Sequence, residues 1–371
     1  MSRWVVPLAI AIVALGGALW VGLPTPAPAP APLPDDGRGV PIGQGTRPEH
    51  PGLTSITWAG DTLIGDAARK KLREHGYPWV LDGVKELLVA DYTVLNLEAP
   101  ITKLRRKDLP KSKRPWSYNL SSKVGPALRG AGVDAVGFSN NHTFDRREQG
   151  VLDTLRNATE AGLVIFGAGA DAQQASQPLL LDSPHGRIGV VALTYKSFEA
   201  EPAGPESPGA IFLYKETIAE GARIAREAGA EHLVGFVHWG VNYEGVKGSQ
   251  KRQAQAFADA GYELVVGHGP HVQQPVAKVG DALVLYSLGN FVFNTPGRFQ
   301  KLDKDPYGLV ATTFFGPDGL ARVELRCILV DNLRVDYQTR TCTPEEAAIS
   351  YSKLGPLVRV EGDVAVIDPV P

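Results

Sequence analysis

The stretch AVGFSNNHTFD, residues 135–145, changes character at its middle. Ala135–Ser139 is a short apolar run of the kind that forms a buried strand. Directly behind it stand Asn140, Asn141 and His142, three side chains whose lone pairs could serve a ligand. Four other apolar runs end in the same way. Ser55–Gly60 ends in Asp61, and Tyr92–Leu95 ends in Asn96, Leu97 and Glu98. Leu233–Val237 ends in His238, Trp239 and Gly240, and Leu264–Gly267 ends in His268, Gly269, Pro270 and His271. In α/β sheets ligands bind beyond the carboxyl ends of strands, so these five groups predict one shared rim. Of the chain's 8 histidines, His142, His238, His268 and His271 all stand there.

Outward from this pattern, Leu163–Phe166, Ile188–Leu193 and Ala282–Tyr286 also read as strands. Helical spacing places Val80, Val84, Leu87 and Leu88 on one face, and Val151, Leu152, Leu155 and Ala158 on another, with Gly162 as a stop. Ala219–Ala228 and Gln250–Ala260 are similar. The alternation of strand and helix predicts an α/β protein. Later, Leu309–Phe315 and Arg322–Val330 flank Gly316, Pro317, Asp318 and Gly319, a hairpin signal, and Arg334–Thr339 reads as one more strand. Antiparallel strands after an α/β first half predict two sheets rather than one doubly wound sheet.

The 371 residues carry 38 Lys+Arg against 40 Asp+Glu, a formal net charge of -2. That balance argues against nucleic acid as a partner. With 43% hydrophobic and 21% charged residues, wholesale disorder is excluded. Cys327 and Cys342 are too few for a disulfide scaffold or a four-cysteine zinc site. In an oxidising compartment they form one pair or stay free, and their spacing decides neither. Any metal must then be held by His, Asp, Glu and Asn.

Arg3 precedes Trp4–Leu23, 20 residues without a charge. Such a helix is roughly 30 Å long, the thickness of a bilayer core. Positive charge before it, and Asp35 and Asp36 after it, predict a cytoplasmic N-terminus and a body outside, in single-pass topology at the cell membrane. A cleaved signal peptide is the other reading, and it exports the body equally. Residues 24–34 hold six prolines in 11 positions, a semi-rigid polyproline II spacer. The expected organisation is an anchor or signal over 1–23, a Pro/Gly-rich linker over 24–53, a domain over 54–330 and an extension over 331–371.

Carboxylate, carboxamide and imidazole together make an oxygen/nitrogen ligand set suited to divalent Mn, Fe or Zn, as one ion or two. Two ions about 3.5–4 Å apart would clamp the attacking and leaving oxygens of a phosphoester hydrolysis. Each residue also has a plainer role. Asp61 before Thr62 suits a turn or cap, Asn140 and Asn141 suit left-handed turn geometry, and His238 beside Trp239 suits a core histidine. The plain roles must hold at five strand ends independently, whereas one metal site explains all five.

Gly60-Asp61, Asn96–Glu98, the NNHTFD of Asn140–Asp145, His238–Gly240, Gly267–His271 and the YSLGNF of Tyr286–Phe291 occur in the order of a known family. The chain resembles the CapA family of poly-γ-glutamate capsule biosynthesis proteins over about Ser55 to Phe293. That family is similar in fold to calcineurin-like metallophosphatases, so the resemblance implies a four-layer α/β/β/α sandwich preceded here by a transmembrane helix. It implies metal ligation by Asp61, Glu98, Asn141, His238, His268 and His271, with Glu98 in the bridging position and His142 as the catalytic histidine. Asp145 then supports His142 or caps the following helix.

Three motifs depart from the pattern. Leu63 stands where the superfamily's first motif has a histidine. Gly269 replaces the middle histidine of the capsule family's G-H-H-P-H. Arg146 and Arg147 replace an aromatic residue followed by glycine.

Lys103–Arg114 carries seven basic residues and one acid, which suits either a solvated loop, a guide for an anionic polymer such as poly-γ-glutamate, or contact with membrane phosphates. Lys103, Arg105, Arg106 and Asn290 are therefore candidate substrate-binding residues, although Asn290 also suits a structural turn. Lys196–Ala210, rich in Pro and Gly, reads as a lid over the rim or as an ordinary loop. Three functions follow as expectations. The first is an extracytoplasmic, membrane-anchored capsule protein with a metal-dependent hydrolase or transferase site. The second is a non-catalytic polymer-binding subunit of a capsule synthase-export complex, and the third a general extracytoplasmic metallophosphodiesterase.

Overall fold

A computed structural model describes residues 50–109, 116–196 and 201–368. The expected membrane segment, the proline spacer and residues 110–114 of the basic strip lie outside the described residues. Among the described residues no helix is long and apolar enough to cross a membrane.

The apolar runs pair into two large sheets. The ten-stranded sheet is built from both ends of the described chain. Its path runs Arg359–Glu361, Val364–Ile367, Gly319–Leu329, Tyr307–Gly316, Thr54–Leu63, Tyr92–Leu97, Ala135–Gly137 and Val164–Phe166. The last four are mutually parallel, and Asn290–Phe293 joins Thr54–Leu63 in parallel at the far end of that strand. The middle of the chain forms the six-stranded sheet, in the order Val276–Val279, Ala282–Leu285, Leu264–His268, His232–His238, Ile188–Thr194 and Leu179–Leu181. Its four inner strands are parallel.

Period-two alternation decides what each face packs against. Ile56, Trp58, Tyr92 and Val94 of the first sheet share one apolar cluster with Ile188, Val190, Val234, Phe236 and Leu264 of the second, so the sheets pack face to face. Ala59, Leu95 and Val136 point the other way, into a cluster with Leu128, Val151 and Leu155 of the helices Val124–Gly130 and Arg147–Glu160. On the second sheet Val191, Leu193, Val237 and Val265 face Ile218, Ala222 and Phe257 of the helices Lys215–Glu227 and Gly248–Asp259. The layers therefore run helices, sheet, sheet, helices. Gly137 shows how closely the sheets approach: a Cβ there would lie 2.4 Å from the Phe236 ring.

Two expected elements differ. The segment of Val80, Val84, Leu87 and Leu88 forms separate 3₁₀ turns, Pro78–Leu81 and Lys85–Leu88, rather than one helix. Gly83 sits between them against the Thr339 carbonyl, 2.4 Å from where a Cβ would stand, and that contact holds the break open. The strand expected over Arg334–Thr339 is absent. Asp331 caps a helical turn, Asn332–Val335, through the Leu333 N–H at 3.1 Å, and Asp336 and Tyr337 have φ of 47° and 70°, which no extended strand accommodates. Only Arg340–Thr341 then pairs with the sheet.

The chain beyond residue 331 contributes to the fold, since Val364–Ile367 pairs with Gly319–Leu329. Cys327 and Cys342 form a disulfide across a Cα–Cα distance of 5.4 Å. Within the segment that follows Lys196, Gly209–Ala210 pairs with Ala168–Gly169, and Gly204 accepts the Ala172 N–H at 2.7 Å. Residues 201–210 are thus pinned to the body, and residues 197–200 of the same segment lie outside the described residues.

Candidate metal centre

Strand register brings the polar strand ends together before any side-chain contact is considered. Asp61 lies opposite Asn96 on one neighbouring strand and Asn290 on the other. In the second sheet His268 lies opposite His238. Because parallel strands end at one edge, both sheets present these residues to the same rim.

Carboxamides orient the first carboxylate. Asn140 Nδ2 donates to Asn96 Oδ1 at 3.1 Å and to the Leu97 carbonyl at 2.8 Å. With its oxygen so engaged, Asn96 turns its own amide to Asp61 Oδ1, 2.8 Å away, and to His238 Nδ1, 3.3 Å away. His238 Nδ1 accepts in that arrangement, leaving the proton on Nε2, which faces Glu98 Oε1 at 4.0 Å. The Gly269 N–H donates to both Asp61 oxygens, at 3.3 and 3.2 Å. His271 Nδ1 is shared between Asn290 Oδ1 at 2.9 Å and Asp61 Oδ2 at 3.1 Å. Burial raises the Asp61 carboxyl, yet the His271 hydrogen bond and the field of the neighbouring imidazoles outweigh it and hold the group well below the usual carboxylate range.

Glu98 is in the opposite condition. It is 0% exposed, and neither carboxylate oxygen has a hydrogen-bond partner. Burial pushes it well above its ordinary value, with the charges of Asp61 and Asp145 adding to the effect. With the His271 proton on Nδ1, its Nε2 directs a lone pair toward Glu98 Oε1 at 3.5 Å. Buried lone pairs facing one another are costly unless a cation lies between them. Ligand atoms of Asp61, Glu98 and His271 all lie within 4.8 Å of one another. The residues therefore fit a divalent metal ion.

Further donors surround this group. Asn141 Oδ1 is buried without a partner, as are both ring nitrogens of His268. Burial holds His238 down at about 3 and His268 at about 4, so both imidazoles are neutral at pH 7; the His238 lone pair faces the Asn96 amide, and that of His268 has no partner. His238 Nδ1 is 4.0 Å from Asp61 Oδ1, while the His268 ring packs 4.2 Å from the ring of Phe236. Leu63 lies in the helix-side core cluster, so that position supplies no ligand.

His142 is set apart by its partner. Its Nδ1 lies 2.7 Å from Asp145 Oδ2, which also accepts the Tyr118 N–H at 2.7 Å. This pairing fixes the ring and leaves Nε2 for chemistry. Asp145 thus supports the histidine; the helix Arg147–Glu160 begins after Arg146, without a side-chain cap. Arg147 has a φ of 58°, the left-handed region that explains why the family pattern places glycine there. Arg146 is buried and donates to the Leu104 carbonyl, Asn119 Oδ1 and Ser117, tying the segments on either side of the basic strip. Lys103, Arg105 and Arg106 are exposed on the first of these segments.

Sequence reasoning left three contributors unassigned: Asn96 and Asn140 as orienting amides, and the Gly269 N–H. Asn96 had a signal, because it stands two residues before Glu98 in the same strand-end group. A backbone donor leaves no such trace.

Residues 55–295 match the family described as bacterial capsule synthesis protein PGA_cap. The chain belongs to this family. Every strand-end group from Asp61 to Asn290 falls inside the matched span of the capsule synthesis family, and the strands after residue 295 fall outside it. The capsule biosynthesis protein CapA of Bacillus anthracis is 26% identical over 245 residues, covering 65% of this chain and 60% of that protein. The PGA biosynthesis protein CapA of Bacillus subtilis is 28% identical over 245 residues, covering 65% and 64%. The chain thus matches between 60% and 64% of the length of these two relatives. Among solved structures, a putative 5'-nucleotidase from Staphylococcus aureus, in complex with alpha-ketoglutarate, aligns with a TM-score of 0.42 and 10% identity over 81% of this chain and 58% of that one. The NAD nucleotidase of Haemophilus influenzae aligns with a TM-score of 0.40 and 10% identity, over 79% and 54%.

Proposed function

We propose that this capsule-family protein is a membrane-tethered, extracytoplasmic enzyme of anionic-polymer synthesis. Its metallophosphatase-like site performs metal-assisted hydrolysis or transfer on a phosphoester or a glutamyl amide. The observation that carries the reading is Glu98, a buried carboxylate with no partner, facing Asp61 and His271 within ligand distance. Neutral His238 and His268, and the unpartnered Asn141 Oδ1, support it. The Cys327–Cys342 disulfide and the charge-free Trp4–Leu23 support placement of the body outside the cytoplasm. The CapA relatives support poly-γ-glutamate as the polymer and capsule synthase or export subunits as partners.

A divalent ion, when bound, supplies a Lewis acid that polarises the scissile group and lowers the pKa of water. The chain's own residues do the rest. Asp61, Glu98 and His271 would hold the cation, while Asn96 and Gly269 keep Asp61 in place. His142, steadied by Asp145, moves a proton through Nε2 to the departing atom.

Elemental analysis of the full-length protein in detergent tests the reading. One or two equivalents of Mn, Fe or Zn are expected, and they are lost in Glu98→Gln/His271→Ala. His142→Ala keeps the metal but abolishes turnover of phosphodiester or γ-glutamyl substrates. A folded wild-type protein that stays metal-free after incubation with each ion refutes the enzyme and favours the polymer-binding subunit.

A further inference from the structure

Two aromatic walls flank the metal centre. On the His142 side the Tyr118 ring stands 4.8 Å away, edge on, and Trp116 lies two residues before it. On the His271 side the Tyr243 ring stands 5.6 Å away and packs 6.1 Å from Phe299, the neighbour of Arg298. Arg298 joins the walls, since its guanidinium carbon sits 4.5 Å over the Trp116 ring.

The stacked pair has two unusual properties. Trp116 is 54% exposed, although a large aromatic side chain is ordinarily buried. Arg298 is half-buried, yet among the described residues no carboxylate pairs with it. A guanidinium whose contact is with a ring, rather than with a carboxylate, keeps N–H groups for the fork that matches a carboxylate or phosphate. The pair is tied to the metal centre on both sides, through Phe299 and Tyr243 to His271 and through Tyr118 to His142. The centre's own carboxylates would repel an anionic substrate, and a cation at the mouth offsets that repulsion.

We propose that Arg298, whose guanidinium carbon lies over the Trp116 ring, is a substrate-recognition residue that takes an oxyanion of the substrate at the mouth of the metal centre. The ligand chemistry is a phosphate or carboxylate group presenting two oxygens to the fork. The proposal rests on the reading that the centre acts on an anionic substrate.

Calorimetric titration of the full-length protein in detergent tests it, with inorganic phosphate in one arm and a γ-linked glutamate tetramer in the other. Each arm is run on metal-loaded and on EDTA-treated protein. At least one probe should bind the wild type, and which one binds identifies the source of the oxyanion. Arg298→Gln should weaken that binding about tenfold, the loss of one charged fork. Arg298→Lys should fall between, because lysine keeps the charge without the fork. Trp116→Ala, which frees the guanidinium from its platform, should weaken binding in the same direction. Binding by Arg298→Gln that equals the wild type overturns the proposal, as does a wild type that binds neither probe. Metal content and turnover on the same preparations separate the two readings. A metal-free, inactive wild type fails the enzyme, whereas an active Arg298→Gln with unchanged KM fails only the recognition role.

Discussion

Replacing Gly269 by alanine should damage both the fold and the metal centre. The residue has a φ of 106°, and a Cβ would lie 2.6 Å from the Trp239 carbonyl oxygen and 3.0 Å from His238 Nε2. The backbone strain costs about 1–3 kcal/mol. Forcing a methyl group against a main-chain carbonyl costs about 1–3 kcal/mol more. Together they amount to roughly 2–6 kcal/mol, or about 2–4 °C of Tm for each kcal/mol in a domain of this size. Relaxation of the loop would also draw the Gly269 N–H away from Asp61, so metal retention should fall with stability. Urea denaturation followed by circular dichroism, with elemental analysis of the same samples, measures both. Gly130→Ala is the reference, because a Cβ there meets nothing within 4 Å and alanine favours its helix. A Gly269→Ala protein as stable as the reference and fully metal-loaded would refute the reasoning. The histidine that the family pattern places at 269 has no room in this chain for the same reason.

Asp145→Asn should lower kcat by roughly 10–100-fold with metal content unchanged, because it weakens the hold on His142 Nδ1; steady-state kinetics beside elemental analysis checks this. Cys327→Ser/Cys342→Ser should cost about 3 kcal/mol for a loop of 15 residues, read as a shift in urea midpoint that reductant reproduces in the wild type. Glu346 is held down at about 2, chiefly by its hydrogen bond with Arg340. Its contribution to stability is therefore full above the unfolded carboxylate's value of about 4.3 and is lost as pH falls from there toward 2. Denaturation midpoints between pH 6 and pH 3 should drop less steeply in Glu346→Gln than in the wild type, and equal slopes would count against this role. Arg147→Val should lose about 1 kcal/mol while Arg147→Gly loses nothing, since the φ of 58° suits glycine and penalises a β-branched side chain.

Much of the fold was legible because buried strands carry their signature in consecutive residues. Thr54–Leu63, Tyr92–Leu97, Ile188–Thr194, His232–His238 and Leu264–His268 all follow apolar runs. The helix Arg147–Glu160 follows a stripe at helical spacing, and Gly162, with a φ of 79°, follows its end. The failures lie where a distant contact outweighs local pattern. Gly83 meets the Thr339 carbonyl from across the fold, so a helical stripe breaks into two 3₁₀ turns. Residues 336 and 337 take left-handed angles that their side chains do not advertise, and the expected strand is lost.

The candidate site divides along the same line. The residue types, their order along the chain and their position at strand ends follow from local sequence, because a parallel strand ends where its apolar run ends. Which side chains meet does not. Asp61 and His271 are separated by 210 positions, and only sheet pairing and the turn after His268 put 3.1 Å between their atoms. The isolation of Glu98, the amide relay from Asn140 through Asn96, and Arg298 stacked over Trp116 likewise depend on segments far apart in sequence. Hydrogen bonds and ion contacts act over a few ångströms of space, whereas sequence pattern reports only the few residues on either side of each position.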